Sequence, residues 1–366
     1  MLNVTELYDI FHAIPELGFQ EFKTAATIEK ILKDIGYTNI TTGIGGTGVM
    51  AELKGNEPGP TVMVRADIDA LPFVDKDGNP YTKHSCGHDG HIAMTLCVAE
   101  KLFGKIRKGA LRVLFQPAEE LGQGAKAMIA AGVIKDVDII LGMHNRPVTE
   151  IPDGSMTPAV LHGATTFVTV SIKGKEGHGA RPHLGKNAIE AGVLFVQAIN
   201  SIRLDPTKAW SCKVTKFNGG TVFNIVPEKA ELMLDARCQT NEMMLDLFDK
   251  IKSVAAGIET ITGCNIEIGT VNGLQPGADV DPEITKLINE VMHELLPDDK
   301  IYPPYTNPGG EDFHFYTQKY PNLKSGFFGL GAGAKPGLHA KDMELNKESL
   351  YLGVEVMSRV VMKLLG

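Results

Sequence analysis

The run Ser85-Cys86-Gly87-His88-Asp89-Gly90-His91 sets a thiol and an imidazole two residues apart. Thiolate and imidazole both bind Zn²⁺ and neighbouring transition metals well, and Asp89 or His91 could orient them from behind. A glycine-rich turn that merely contains Cys and His is the plainer alternative. A structural zinc knuckle is disfavoured, because no second Cys-x-x-Cys or Cys-x-His pair exists. The second chemical element is the pair Glu119-Glu120, preceded by Gln-Pro-Ala. Adjacent side chains on an extended backbone point opposite ways. One carboxylate can then bind metal while the other serves as general base toward an activated water. Standing alone, the pair would read as a solvated acidic turn.

His144 and His339 follow apolar runs and supply two further candidate ligands. Cys86, His88, Glu120, His144 and His339 make five donors, with Glu119 left over. A closed structural zinc site needs four ligands and no spare carboxylate. Five donors and a free carboxylate suit a two-metal hydrolytic site. In Arg65-Ala66-Asp67-Ile68-Asp69, the two aspartates share a face of an extended chain. Both can point to the site, Asp69 supporting a ligand; a salt bridge from Asp67 or Asp69 to Arg65 is the competing reading.

The elements that must carry these residues alternate along the chain. Short apolar runs at Thr61–Val64, Leu111–Phe115, Val137–Leu141 and Gly326–Leu330 read as strands buried on both faces. Helices are expected around Ile28–Ile35 (stopped by Gly36), His91–Phe103, Glu283–Leu296 and Leu350–Leu364, with Asp281-Pro282 as a cap and first-turn proline. The chemically interesting residues follow the strands, where open α/β sheets bind their ligands. Residues 165–272 differ in texture. Phe167–Lys173, Cys212–Phe217, Lys229–Arg237 and Asn265–Val271 alternate apolar and polar, as in a sheet with one wet face, and helices at Ala188–Ile202 and Asn241–Thr260 are interleaved. The expected architecture is an α/β domain with a mixed, mostly parallel sheet (1–164 and 275–366). Into it is inserted a β-α-β-β-α-β, ferredoxin-like α+β domain (165–274).

The formal charge of −8 argues against nucleic acid or an anionic membrane as partner. No apolar run approaches the ~20 residues that span a bilayer, and the first residues show no signal-peptide pattern. Five scattered cysteines suit reduced thiols in a cytoplasm better than a disulfide framework. Gly43-Ile44-Gly45-Gly46-Thr47-Gly48 matches a dinucleotide fingerprint formally, but a strand-like segment follows where a helix is required, so a glycine-rich hairpin is expected. No Gly-x-Ser-x-Gly elbow occurs, and a Cys86 thiolate held by metal would be a poor nucleophile.

With these residues assembled, the chain resembles the aminoacylase, hippurate hydrolase and indole-acetyl-amino-acid hydrolase branch of the dinuclear zinc carboxypeptidase/aminoacylase family. The likeness runs nearly end to end, through Pro15–Glu21, Arg65–Pro72, Cys86–His91, Phe115–Glu120, Gly177–His183, Asn224–Pro227 and Glu311–Phe313. The resemblance implies two divalent metals (zinc first; manganese, cobalt or nickel otherwise) on Cys86, His88, Glu120, His144 and His339, with Cys86 bridging. It puts Glu119 at the general-base position and His178 at a lid histidine that reaches the reacting carbonyl, with Asp69 counted among the catalytic residues. Asn224 and Arg237 fall where relatives hold the substrate carboxylate or the oxyanion. It further implies a homodimer or homotetramer built through the inserted domain. The expected reaction is hydrolysis of the amide of an N-acyl amino acid. A dipeptidase or carboxypeptidase shares the chemistry, and a non-catalytic metal carrier would leave Glu119 without a use. Arg146 after His144, the charged stretch Phe73–His84 and the Ala340-Lys341-Asp342-Met343 ending after His339 depart from the family pattern.

Overall fold

Val62, Met63 and Val64 are all fully buried, yet they belong to two different cores. Val62 and Val64 pack with Val4–His12, Phe22–Ile35, His88–Leu102, Pro282–Leu295 and Leu350–Leu365 on one sheet face, whereas Met63 packs with Gly124–Ala130 and His314–Lys319 on the other. Leu111, Val113 and Phe115 alternate with Leu114 in the same way, as do Ile139 and Leu141 with Ile140. A period-two backbone covered on both sides by helices thus gives the continuous apolar runs seen in the sequence. Each fully buried Val, Leu or Phe contributes about 1.5–3 kcal/mol.

The computed structural model describes residues 1–366, which divide into two units. The first holds Met1–Leu161, Asp279–Tyr305 and Asp312–Gly366. Its seven-stranded sheet runs in the order Ile40–Ile44, Gly48–Lys54, Lys108–Gln116, Glu57–Asp67, Ile139–Pro147, Lys324–Ala334 and Met156–Thr157. The four central strands are mutually parallel; Gly48–Lys54 and Met156–Thr157 join antiparallel. Ile40–Ile44 and Gly48–Lys54 form the glycine-rich hairpin expected in place of a dinucleotide loop. Gly36, at φ 115°, ends one helix, and Asp281 caps another by accepting the amides of Glu283 and Ile284.

The second unit comprises His162–Ala278 and Thr306–Glu311. Its antiparallel sheet runs Trp210–Gly219, Lys229–Cys238, Ala164–Lys173, Asn265–Gln275, with helices Ala188–Ile199 and Asn241–Thr262. The expected bounds 165–274 thus shift by a few residues and gain a short excursion. Gly163 N–H donates to Asn307 O at 2.8 Å and Arg237 Nη1 donates to Pro308 O at 3.2 Å, which binds that excursion to this unit.

Candidate metal centre

The Cys86–His91 turn is shaped by its glycines. Gly87 sits at φ 86° as the N-cap of helix His88–Leu102, a conformation that favours glycine. Asn145 Nδ2 donates to Gly87 O at 3.1 Å, and a Cβ on Gly90 would lie 2.8 Å from the same nitrogen. The turn is therefore pressed against strand Ile139–Pro147, which carries His144. Cys86 Sγ and His144 Nε2 lie 3.4 Å apart. His144 Nδ1 donates to Asn145 O at 2.7 Å, and His88 Nδ1 donates to Asp69 O at 2.9 Å. Both rings thereby present a bare Nε2 to the same space.

Beyond strand Lys108–Gln116 the chain turns through Ala118, at φ 54°, before Glu119 and Glu120. The Asp69 carboxylate accepts both following amides, Glu119 N–H at 3.1 Å and Glu120 N–H at 3.0 Å. Glu120 Oε1 lies 3.9 Å from His88 Nε2 and 3.5 Å from His339 Nε2. Glu119 Oε1 instead accepts Asp312 N–H at 3.4 Å. The adjacent carboxylates are thus used differently. His339 arrives on a loop at φ 64°, tied by its own N–H to Ser85 O at 2.7 Å. Lys83 Nζ donates to Lys341 O and Lys341 Nζ to Val74 O, so the hairpin Leu71–Val74/Pro80–Lys83 braces that loop.

Five donor trios have ligand atoms within 4.8 Å of one another, and two of them contain Cys86, namely Cys86–His88–His144 and Cys86–Glu120–His339; Glu119 joins His88 and Glu120 in another. His88 Nε2 and Glu120 Oε1 are buried without a hydrogen bond, an expensive arrangement unless a cation takes their lone pairs. Burial pushes the Cys86 thiol well above its ordinary value and Glu120 up to about 7. A divalent metal reverses both trends, because thiolate and carboxylate are what it binds. Sulfur, nitrogen and oxygen donors together fit a transition-series dication.

His91 is spent elsewhere. Asn145 N–H donates to its Nε2 at 3.0 Å, so Nδ1 carries the proton and donates to Asp67 Oδ1 at 2.6 Å. Asp67 also takes Arg65 Nη1 on its other oxygen at 2.6 Å, so the salt bridge entertained for this segment exists beside a role near the site. Burial acts to raise the Asp67 pKa, but His88, His91 and Arg65 outweigh it and hold the carboxyl well below the usual range. Arg146 does not stand free near His144: it is buried and paired with Glu150.

His178, Asn224 and Arg237 belong to the second unit. His178 lies in a two-residue strand opposite Ile225, its Nδ1 accepting Ala180 N–H at 3.0 Å, and Gly179 N–H donates to Asn224 O at 2.9 Å. His178 and Asn224 are therefore neighbours, and both are exposed. Arg237 holds Asp235 through two nitrogens, at 2.9 and 3.1 Å, beside a cavity of about 280 Å³ lined by Trp210, Cys238, Asn307 and Pro308.

Three supporting residues were given no role from sequence. Glu21 is buried and accepts Ala118 N–H at 2.9 Å; Asp312 and Gln116 are fully buried partners of Arg65. All three lie in segments that carry the family likeness, Pro15–Glu21, Phe115–Glu120 and Glu311–Phe313, and Gln116 is also a polar residue at the end of an apolar run.

Known proteins resemble this chain over most of its length. The peptidase family M20/M25/M40 matches residues 63–363. An N-acetyldiaminopimelate deacetylase of Listeria monocytogenes is 30% identical over 94% of this chain and 95% of its own. An N-acetyl-L-cysteine deacetylase of Bacillus subtilis is 32% identical over 87% of this chain and 78% of its own. A solved structure from Bacillus subtilis, a dinuclear metal-binding peptidase of the M20 family, superposes with a TM-score of 0.84 at 28% identity, covering 99% of this chain and 97% of that one. Shared sequence, shared fold and two donor trios on one sulfur agree: the chain belongs to the M20/M25/M40 peptidase family and is a metallohydrolase of amide bonds.

Proposed function

We propose that the chain hydrolyses the amide bond of N-acyl amino acids, with Glu119 as general base. The observation that carries this reading is the position of Glu119. It adjoins a ligand, shares Asp69 with it through the backbone, and stands outside both Cys86 trios. Cys86, His88 and His144 would hold one metal, and Cys86, Glu120 and His339 the other; zinc is the first choice, with manganese, cobalt or nickel as substitutes. When bound, such metals supply Lewis acidity, polarising a carbonyl and making water nucleophilic near neutral pH.

The Glu119 carboxylate takes a proton from the attacking water and returns it to the leaving nitrogen as the C–N bond breaks, which yields a carboxylate and a free amine. Asp69 holds the Glu119–Glu120 backbone and the His88 ring in place while this happens. His178 is proposed to donate to the carbonyl oxygen as it becomes an anion, an interaction typically worth about 3–4 kcal/mol. Asn224 and Arg237 are proposed to hold the substrate carboxylate. The deacetylase relatives support the substrate class, since each is named for an N-acetylated amino acid.

A homodimer or homotetramer through the inserted unit is proposed from its exposed apolar side chains, Val193, Phe217 and the fully exposed Phe223. A cytoplasmic setting is proposed from five free, buried thiols. No helix is long and apolar enough to cross a membrane.

The test is a panel of N-acetyl, N-benzoyl and aminoacyl amino acids on metal-reconstituted protein. Turnover of the N-acyl compounds above the aminoacyl ones supports the reading. The opposite order would make the chain a dipeptidase, and no turnover with metal fully loaded would make it a carrier.

A further inference from the structure

Arg65 is only 2% exposed, and each face of its guanidinium is spoken for. Nη1 donates to Asp67 at 2.6 Å, Nη2 to Asp312 at 2.8 Å and Nε to Gln116 Oε1 at 2.9 Å. Two chains of contacts leave this fork. On one side the Asp312 carboxylate also accepts Gln116 Nε2 at 2.8 Å and Ala125 N–H at 2.8 Å, which pins the residue whose own N–H reaches Glu119 Oε1. On the other side Asp67 holds His91 Nδ1, His91 Nε2 accepts Asn145 N–H, and Asn145 O holds His144 Nδ1. The ends of these chains are the base and a ligand of the first trio.

Stability alone is a poor account of this network. A buried ion cluster is often matched or bettered by apolar residues of the same volume, because desolvation offsets the Coulomb attraction. Geometry is what a planar, five-donor fork supplies and an apolar cluster cannot.

We propose that Arg65 is a positioning residue that sets the direction of Glu119 and of the His144 ring together, through Asp312 on one side and Asp67–His91 on the other. The proposal rests on the reading of Glu119 as base. Reactivity is steep in such placement: a misplacement of about 1 Å can cost roughly 100-fold in rate.

The test uses full-length enzyme reconstituted with cobalt(II), and variants Arg65→Lys, Asp312→Asn, Glu119→Gln and the double variant Asp312→Asn/Glu119→Gln. Arg65→Lys keeps the charge and loses the fork. It is expected to lower kcat about 100-fold with KM within about threefold, and to shift the cobalt absorption bands because His144 turns. Asp312→Asn touches one branch only. It is expected to lower kcat about tenfold, to leave the cobalt spectrum and metal content unchanged, and to add nothing once Glu119→Gln is present. Should Arg65→Lys fail to fold, Asp312→Asn and the double variant still decide. The proposal is overturned if the variants lose activity only in proportion to folded or metal-bound protein, or if Asp312→Asn acts independently of Glu119→Gln. Full activity in Glu119→Gln alone would instead remove the base reading itself.

Discussion

Glu21 Oε1 accepts the backbone N–H of Ala118 at 2.9 Å, from 97 residues away. Ala118 sits at φ 54°, a conformation alanine rarely adopts, and the next two residues are the glutamate pair. Glu21 is itself fixed by Thr47 Oγ1. A carboxylate from the N-terminal segment therefore holds the bend that aims Glu119 and Glu120. Glu21→Ala strands a buried amide and is expected to cost about 1–3 kcal/mol in chemical denaturation, with kcat falling alongside. Glu21→Gln keeps an oxygen for Ala118 and should recover most of both. Equal loss in the two variants would mean that the contact does not matter.

The two Cys86 trios are built on elements of different firmness. Cys86, His88 and His144 are all buried, His88 on a helix, His144 on a strand and Cys86 in the turn just before that helix, whereas His339 is exposed on a loop. His339→Ala should leave close to one metal per chain after dialysis, and Cys86→Ala well under one, because the sulfur serves both trios. Metal analysis by mass spectrometry reads this directly. Two metals retained in Cys86→Ala would break the assignment.

Glu119→Gln removes the proton acceptor and keeps the shape. It should lower kcat by about 10²–10⁴ while metal content stays at the wild-type level. A parallel fall in metal content would show that Glu119 is a ligand instead.

His314 is fully buried, and burial, reinforced by the Arg65 charge, lowers its pKa to about 3. The unfolded imidazole titrates near 6.5. The folded state thus keeps the ring neutral, contributing stability that is present above about pH 6.5 and lost as the pH falls toward 3. Unfolding free energy should drop by up to about 1.4 kcal/mol per pH unit in that window from this group. His314→Leu should flatten the slope; an unchanged slope would assign the acid sensitivity to other residues.

The neighbourhood of Gly124 offers a steric check. A Cβ there would lie 1.8 Å from Pro117 O, in the loop that carries the glutamate pair. Gly124→Ala should therefore move backbone and cost several kcal/mol, seen as a lowered denaturation midpoint. A variant as stable and active as wild type would show that the loop has slack.

Much of this architecture was legible because local rules and burial coincide. Val62, Met63 and Val64 read as strand because both sheet faces are covered, and Gly36 and Asp281 end and start helices by chemistry internal to a few residues. The ligands were legible because thiol, imidazole and carboxylate after apolar runs have few alternative uses. What escaped is non-local. Arg65 and Asp312 are 247 residues apart, and no periodicity announces their pairing. Strand Glu57–Asp67 accordingly runs past the expected end at Val64, since Arg65 and Asp67 are buried by partners that only the fold supplies. The pairing of Arg146 is hidden for the same reason, its Glu150 partner being an ordinary glutamate until the turn folds.

The strand order has a consequence for synthesis. Lys324–Ala334 lies between Ile139–Pro147 and Met156–Thr157, so the sheet is completed by a segment that leaves the ribosome roughly 180 residues after its neighbour. At about 5–20 residues per second, that delay is roughly 10–35 seconds. During it Ile139–Pro147 is an open edge, Arg65 lacks Asp312, and His339 has yet to be made. The donors of the first trio, Cys86, His88 and His144, are therefore made well before His339 of the second trio and Asp312, the anchor of the base.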